Sequence, residues 1–207
     1  MAEQKKVSLY QEQKKAKPLI EDIIPIWFDG ELENLATNFV AHLRAKKMNP
    51  TWFLANQWKV AAKGKILCRI SLNTFWSPKR EDTKWVVTAY LQNLKEYEDD
   101  IINENLQHFL WDNVLYCVYK PSNSLPSEEA RSYPGQVPCN NYGNCNPGKN
   151  ITVCGNELTN ICCNDNRQYF WIRNPDQATL EGVIKLLELE KEARNKNTRK
   201  LKEKNHV

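Results

Sequence analysis

Long apolar runs are missing from this 207-residue chain. Nothing in it reaches the length of a membrane span, and Met1 to Lys17 is polar and lysine-rich where a signal peptide would need an apolar core. The expectation is a cytoplasmic protein with no membrane partner. Catalytic signatures are missing too: there is no P-loop, GxGxxG, HExxH or GxSxG, and no Ser, His and Asp set stands above chance. Histidine is scarce. His42, His108 and His206 all lie away from the cysteine-rich stretch described below, which argues against a histidine-held hydrolytic metal. Carboxylates are plentiful, but Glu98, Asp99 and Asp100 stand where a helix N-terminus accounts for them electrostatically. These absences point away from an enzyme.

Cysteine is present, in an uneven distribution. Six of the seven fall between Cys117 and Cys163, most of them in CNNYGNC, ITVCGNE and NICCND, within a segment rich in Gly, Asn and Pro. Such a stretch cannot order itself by burying apolar surface, so it needs a cross-link. A reducing compartment disfavours structural disulfides, and an odd total does not close a disulfide framework. Thiolate-bound zinc is the first reading. Four sulfurs at about 2.3 Å complete a tetrahedron, leave no position for water, and make the metal a structural staple contributing on the order of 10 kcal/mol to folding. Cys139 and Cys145 are separated by a turn containing Gly143, and Cys117 with either Cys162 or Cys163 closes the site from opposite sides. Two rival readings are unligated thiols and a thiol-redox switch, for which adjacent Cys162 and Cys163 need other partners because a ring between neighbours is strained. Cys68 reads as a small buried strand residue. Cys154, in a turn before Gly155, reads as a spare thiol or an alternative ligand.

Size and 41% hydrophobic content fit one domain. Ile20 to Trp27, flanked and interrupted by Pro18 and Pro25, suggests an extended segment. Leu32, Leu35, Ala36, Phe39 and Leu43 then follow helical spacing, with Asp29 as N-cap and an end near Met48 before Pro50. The period changes to two from Thr51: Trp58, Val60 and Ala62, a turn at Gly64, then Ile66, Cys68, Ile70 and Leu72 read as a hairpin, and Trp85 to Leu91 as a third strand. Tyr97 to Leu115 returns to helical spacing. After the cysteines, Tyr169 to Arg173 is a short aromatic strand, and Asn174-Pro175-Asp176-Gln177 reads as the N-cap, N1 proline and N3 glutamine of a last helix. The fold class is α+β: an antiparallel sheet of three to four strands packed by three helices, with the cysteine-rich metal loop inserted before the last strand and helix. The organisation is a partly flexible lead-in over 1–28, a single domain over 29–190 containing the metal loop 117–168, and a basic tail over 191–207.

Seven tryptophans are many for this length, and core packing accounts for most. Indole also combines a broad apolar face with an N–H donor, so Trp58 and Trp85 are candidates to line a pocket for a flat or cationic ligand, with Trp52, Lys59 and Arg69 beside them. Nucleic acid is the other candidate partner. Trp58-Lys59 with Arg69 is a sparse version of the interleaved aromatic and basic strand face that such binding uses. The lysines and arginines at the two ends, Lys5 to Lys17 and Arg194 to Lys204, are either phosphate contacts or solvated, frayed ends.

The runs WFLANQWKVAAKGKILCRISL, NLQHFLWDNVLYC, ITVCGNELTNIC and NPDQATLEGVIKLLEL resemble a group of uncharacterised cytosolic proteins from Clostridium-like bacteria, over most of Asp29 to Glu190. In that group a TI-hydrophobe-GKEF-x-N-x-C segment precedes the last strand, and its cysteine matches Cys162. The resemblance implies Cys117, Cys139, Cys145 and Cys162 as metal ligands, with Cys163 as the alternate. The insertion Pro121 to Pro138 and the doubled Cys162-Cys163 depart from the pattern. The group is distantly similar to gyrase-inhibitor-like and YdhG-like α+β domains, some of which bind small molecules. The resulting expectation is a non-enzymatic, zinc-stabilised binding module for a small molecule or a protein partner. The alternatives are a nucleic-acid-associated protein, including a phage or defence-related accessory, and the thiol-redox switch.

Overall fold

The computed structural model describes residues 8–73, 83–114, 149–161 and 169–204. Three helices lead: α1 (Leu9–Ala16), α2 (Ile20–Trp27) and α3 (Gly30–Ala45). Four strands follow, β1 (Thr51–Leu54), β2 (Gln57–Ala62), β3 (Lys65–Leu72) and β4 (Trp85–Tyr90). Helices α4 (Glu98–Asn103) and α5 (Gln107–Asn113) come next, then the hairpin β5 (Lys149–Val153) and β6 (Asn156–Ile161), strand β7 (Tyr169–Arg173) and the 28-residue α6 (Gln177–Lys204). The main sheet is antiparallel throughout, in the order β1-β2-β3-β4-β7, and β5-β6 form a separate ribbon. The α+β class with an antiparallel sheet is as expected. Among the described residues, its five strands and six helices exceed the three to four strands and three helices read from the sequence.

The sheet follows from alternation and turn chemistry. Lys63 and Gly64, with φ of 51° and 74°, make the left-handed two-residue turn that matches strand twist between β2 and β3. One face of the sheet is fully covered. Trp58 and Val60 on β2, Cys68, Ile70 and Leu72 on β3, Trp85, Val87 and Ala89 on β4, and Phe170 and Ile172 on β7 are all buried. Helices supply the cover: Phe28 and Phe39 meet the Trp85 ring edge-on at 6.2 and 6.0 Å, and α6 lies against both α3 and β3. Helix α3 ends on a Schellman motif, with Lys47 left-handed and the Met48 N–H reaching the Leu43 carbonyl at 2.8 Å. Leu43 and Met48 are both buried at that cap.

Four expectations are corrected. Ile20–Trp27 is a helix, not an extended segment. Pro25 removes one intrahelical donor, but Ile20 and Ile24, one turn apart and wholly buried, hold the segment helical by tertiary packing. The single helix expected from Tyr97 to Leu115 is two helices. Asn105 is left-handed, and the Leu106 N–H turns back to the Ile101 carbonyl at 2.9 Å, closing α4 with a second Schellman motif. The N-cap of α6 is Asp176, whose carboxylate accepts the Thr179 N–H at 2.8 Å. Asn174 instead clamps the end of β4, its side chain accepting the N–H groups of Lys84 and Trp85. Finally, the segment expected as a basic tail over 191–207, a phosphate contact or a frayed end, is helical through Lys204, and Arg194 within it is 6% exposed.

Arg194 is buried because it completes an ion pair with Glu190, which is 0% exposed, at 2.7 Å. Glu190 also accepts the backbone N–H groups of Gln92 and Asn93, the Asn93 side-chain amide and the Tyr97 hydroxyl, at 2.8 to 3.1 Å. Burial first, then the Glu190 charge, pushes the Tyr97 hydroxyl far above its ordinary range, so it stays a donor. Arg194 donates to the carbonyls of Lys65, Ile66 and Tyr90 at 2.9 to 3.1 Å. Every polar atom of the pair that faces the interior has a partner, the condition under which a buried pair is tolerated.

Glu190→Ala is expected to destabilise the fold by about 3–5 kcal/mol, by leaving a buried guanidinium uncompensated. The double variant Glu190→Leu with Arg194→Met recovers part of that loss. Denaturant melts of the three proteins measure both effects. A second ion pair, Glu21 with Arg44, joins α2 to α3 and is about one-third exposed. The Arg44 hydrogen bond holds the Glu21 carboxyl below its ordinary value. Its contribution is therefore present above the ordinary carboxylate pKa and is lost as pH falls through the lowered folded value. The difference in melting temperature between Glu21→Gln and the parent should be visible at neutral pH and shrink in acid.

Candidate functional site

The second face of the sheet has a different composition. Strand register places Thr51, Lys59, Arg69, Thr88 and Trp171 in one row across all five strands, since each pairs with the next. Phe53 on β1, Tyr90 on β4 and Arg173 on β7 point to the same side by alternation. Lys59, Arg69, Thr88, Trp171, Arg173 and Phe53 are each partly exposed, whereas the row behind them on the helical face is fully buried. Leu67, Val86 and Tyr90 are the buried apolar members of this second face.

Its cations pair with rings. Lys59 Nζ lies 5.3 Å and the Arg69 guanidinium 5.6 Å from the centre of the Phe53 ring. Arg69 also lies 5.2 Å from the Tyr90 ring and donates through Nε to the Tyr90 hydroxyl. Arg173 lies over the Trp171 ring at 5.5 Å. The five strands contain Lys59, Lys65, Arg69 and Arg173 but no aspartate or glutamate. Four ion pairs join described residues to one another, all on the helices and their caps: Glu21 with Arg44, Lys46 with Glu188, Glu104 with Lys185, and Glu190 with Arg194. Among the described residues Lys59 and Arg69 have no carboxylate partner. Cation–π contacts orient a charge without neutralising it, so Lys59 and Arg69 keep their positive field. The indole N–H of Trp171 is buried and has no acceptor.

The residues expected to bind a ligand separate onto the two faces. Trp58 and Trp85 are core residues with 0% exposure, which removes them as walls of an open pocket. The Trp58 indole donates to the Pro18 carbonyl at 2.9 Å. Trp85 packs between Phe28 and Phe39, its own N–H without an acceptor. Trp52 shares the Trp58 side and is overlaid by α1: Gln13 accepts from its indole at 3.4 Å, and the Tyr10 ring lies 6.2 Å away. Lys59 and Arg69 alone stand on the second face. Phe53, Thr88, Trp171 and Arg173 were not singled out from the sequence, although the polar phase of each strand's alternation carries them.

Cys117, Cys139, Cys145, Cys162 and Cys163 all lie outside the described residues. Within the expected metal loop, residues 149–161 form the β5-β6 hairpin, and Cys154 with Gly155, at φ of 50° and 75°, makes its turn. Among the described residues no group of three or more His, Cys, Asp or Glu side chains is placed to hold a metal. Cys68 is wholly buried, and desolvation, partly offset by a hydrogen bond with the Val60 backbone, pushes its thiol up to about 12. That thiol is inert at neutral pH. Partial burial and then the charge of Glu98 raise the Cys154 thiol as well. Also among the described residues, no helix is long and apolar enough to cross a membrane.

No protein-family model, no curated protein and no solved structure matches this chain.

Proposed function

We propose that the chain is a non-enzymatic binding module that engages an anionic partner through the second face of its sheet. The observation that carries this reading is the charge segregation. Carboxylates sit with their cations on the helices, while the sheet holds cations against aromatic rings and no carboxylate. Rings and cations that share one face offer apolar contact area and positive potential together, and the fixed backbone beneath them keeps their spacing.

Zinc remains part of this proposal as a structural staple held by Cys117, Cys139, Cys145 and Cys162, or Cys163 in place of the last. It is supported by the cysteine clustering and by the bridge between Val114 and Phe170, which sets the two flanks of the cysteine-bearing stretch side by side. A cross-link between those ends would then close a loop rather than bridge distant elements.

Retention on a sulfated polysaccharide column tests the anionic partner. Lys59→Glu is expected to elute at lower salt than the parent while melting at a similar temperature. Trp58→Ala is expected to lose about 3–5 kcal/mol of stability, because a core indole is removed, and to elute with the parent while folded. Equal elution of Lys59→Glu and the parent would reject the surface. Elemental analysis with free-thiol counts before and after chelation tests the staple. About one zinc per chain with masked thiols is the expected result, and metal-free protein with reactive thiols overturns it.

A further inference from the structure

We infer that the anionic partner is single-stranded nucleic acid, laid across the strands from Phe53 to Trp171. This inference rests on the binding surface proposed above and narrows it to one chemistry. A surface selective for carboxylates or sulfates needs cations alone. This one places an aromatic ring at each margin of the sheet, Phe53 on β1 and Trp171 on β7, the two outer strands. Each ring carries its own cation: Lys59 and Arg69 over Phe53, Arg173 over Trp171. A ring with an adjacent cation is the repeating unit that a single strand requires, one part for the flat base and the other for its phosphate.

The central residue strengthens the assignment. Arg69 is held by the Tyr90 hydroxyl and by two rings, so its guanidinium plane is oriented before any ligand arrives. A pre-set guanidinium can stack on a base or fork onto a phosphate, at little cost in side-chain entropy. Thr88, next to Arg69 in the row, adds a neutral hydroxyl.

Scale and shape favour one strand over two. At about 4.8 Å between strands, the distance from β1 to β7 is about 19 Å, room for a short run of nucleotides. Among the described residues nothing on this face projects as a groove-reading helix, and duplex bases are stacked away from rings such as Phe53 and Trp171.

Fluorescence anisotropy with an oligodeoxythymidylate of about 12 nucleotides, the matched duplex and a polyglutamate peptide tests the inference. The single strand is expected to bind most tightly, and its affinity to fall with salt at a log–log slope near −1.4, about −0.7 for each of Lys59 and Arg69. Lys59→Gln is expected to flatten that slope by about 0.7. Trp171→Ala is expected to weaken binding by about 5- to 100-fold at unchanged slope, the signature of a lost stacking platform. Should Trp171→Ala fail to fold, Phe53→Leu reads the same effect at the other margin. Equal binding of polyglutamate, duplex preference, or insensitivity to both ring variants overturns nucleic acid. If the oligonucleotide fails while retention on the sulfated column still depends on Lys59, only the present inference falls. If neither binds, the anionic surface falls with it.

Discussion

The buried pair of Glu190 and Arg194 is the constraint on which the rest of the architecture depends. A carboxylate and a guanidinium removed from water are tolerated only when their remaining hydrogen-bonding capacity is satisfied, and here the satisfaction comes from three directions. The start of β3 and the end of β4 offer carbonyls to Arg194, while the connection from Gln92 to Tyr97 offers donors to Glu190. Helix α6 is thereby fixed in rotation and height against the sheet. Its apolar stripe of Leu180, Val183, Leu187 and Ala193 then has one place to go, into the layer shared with α3.

That placement sorts the protein's charges. Helices carry both signs close together, so their pairs are made locally or between neighbouring helices. The sheet carries one sign, and its cations rest on rings. Apart from the buried pair of Glu190 and Arg194, neither arrangement adds much stability, because exposed pairs and exposed cation–π contacts are each small terms. Their difference lies in what they leave for a partner: helices that carry both signs, and sheet strands that carry cations alone.

The sheet was legible because alternation and turn residues act over a few positions, and Trp58, Val60, Ile70 and Trp85 declare their phase without help from distant contacts. The break at Asn105 was not legible, since Ile101, Leu106 and Leu110 keep a helical rhythm across it and only the left-handed backbone reveals the cap. Helix α2 was masked by its prolines, whose local preference lost to burial of Ile20 and Ile24. Glu190 and Arg194 stand in a charged run four residues apart, a spacing that reads as a solvated helix face, and their burial is decided by loops about a hundred residues away in sequence. At the candidate site, the polar phase of β2 and β3 makes Lys59 and Arg69 legible as cations on one strand face, but not the rings beside them. Composition points to tryptophans as their aromatic partners, whereas Trp58 and Trp85 lie on the opposite face and the rings beside Lys59 and Arg69 are Phe53 and Tyr90.

The turns are built from an unusual set of residues. Among the described positions Lys17, Lys47, Asn56, Lys63, Asn73, Asn105, Cys154 and Asn174 all hold left-handed backbone, a conformation that costs a non-glycine residue about 1–2 kcal/mol. At Asn56 and Asn174 the side chain repays this through hydrogen bonds, to Gln13 and to the β4 backbone. At Lys47 and Lys63 no such bond exists. In evolutionary terms these four corners therefore divide in two: Asn56 and Asn174 are held in place by what they bind, whereas Lys47 and Lys63 can drift toward glycine, so that the tolerance of each to change is set by its side chain and not by the turn it makes.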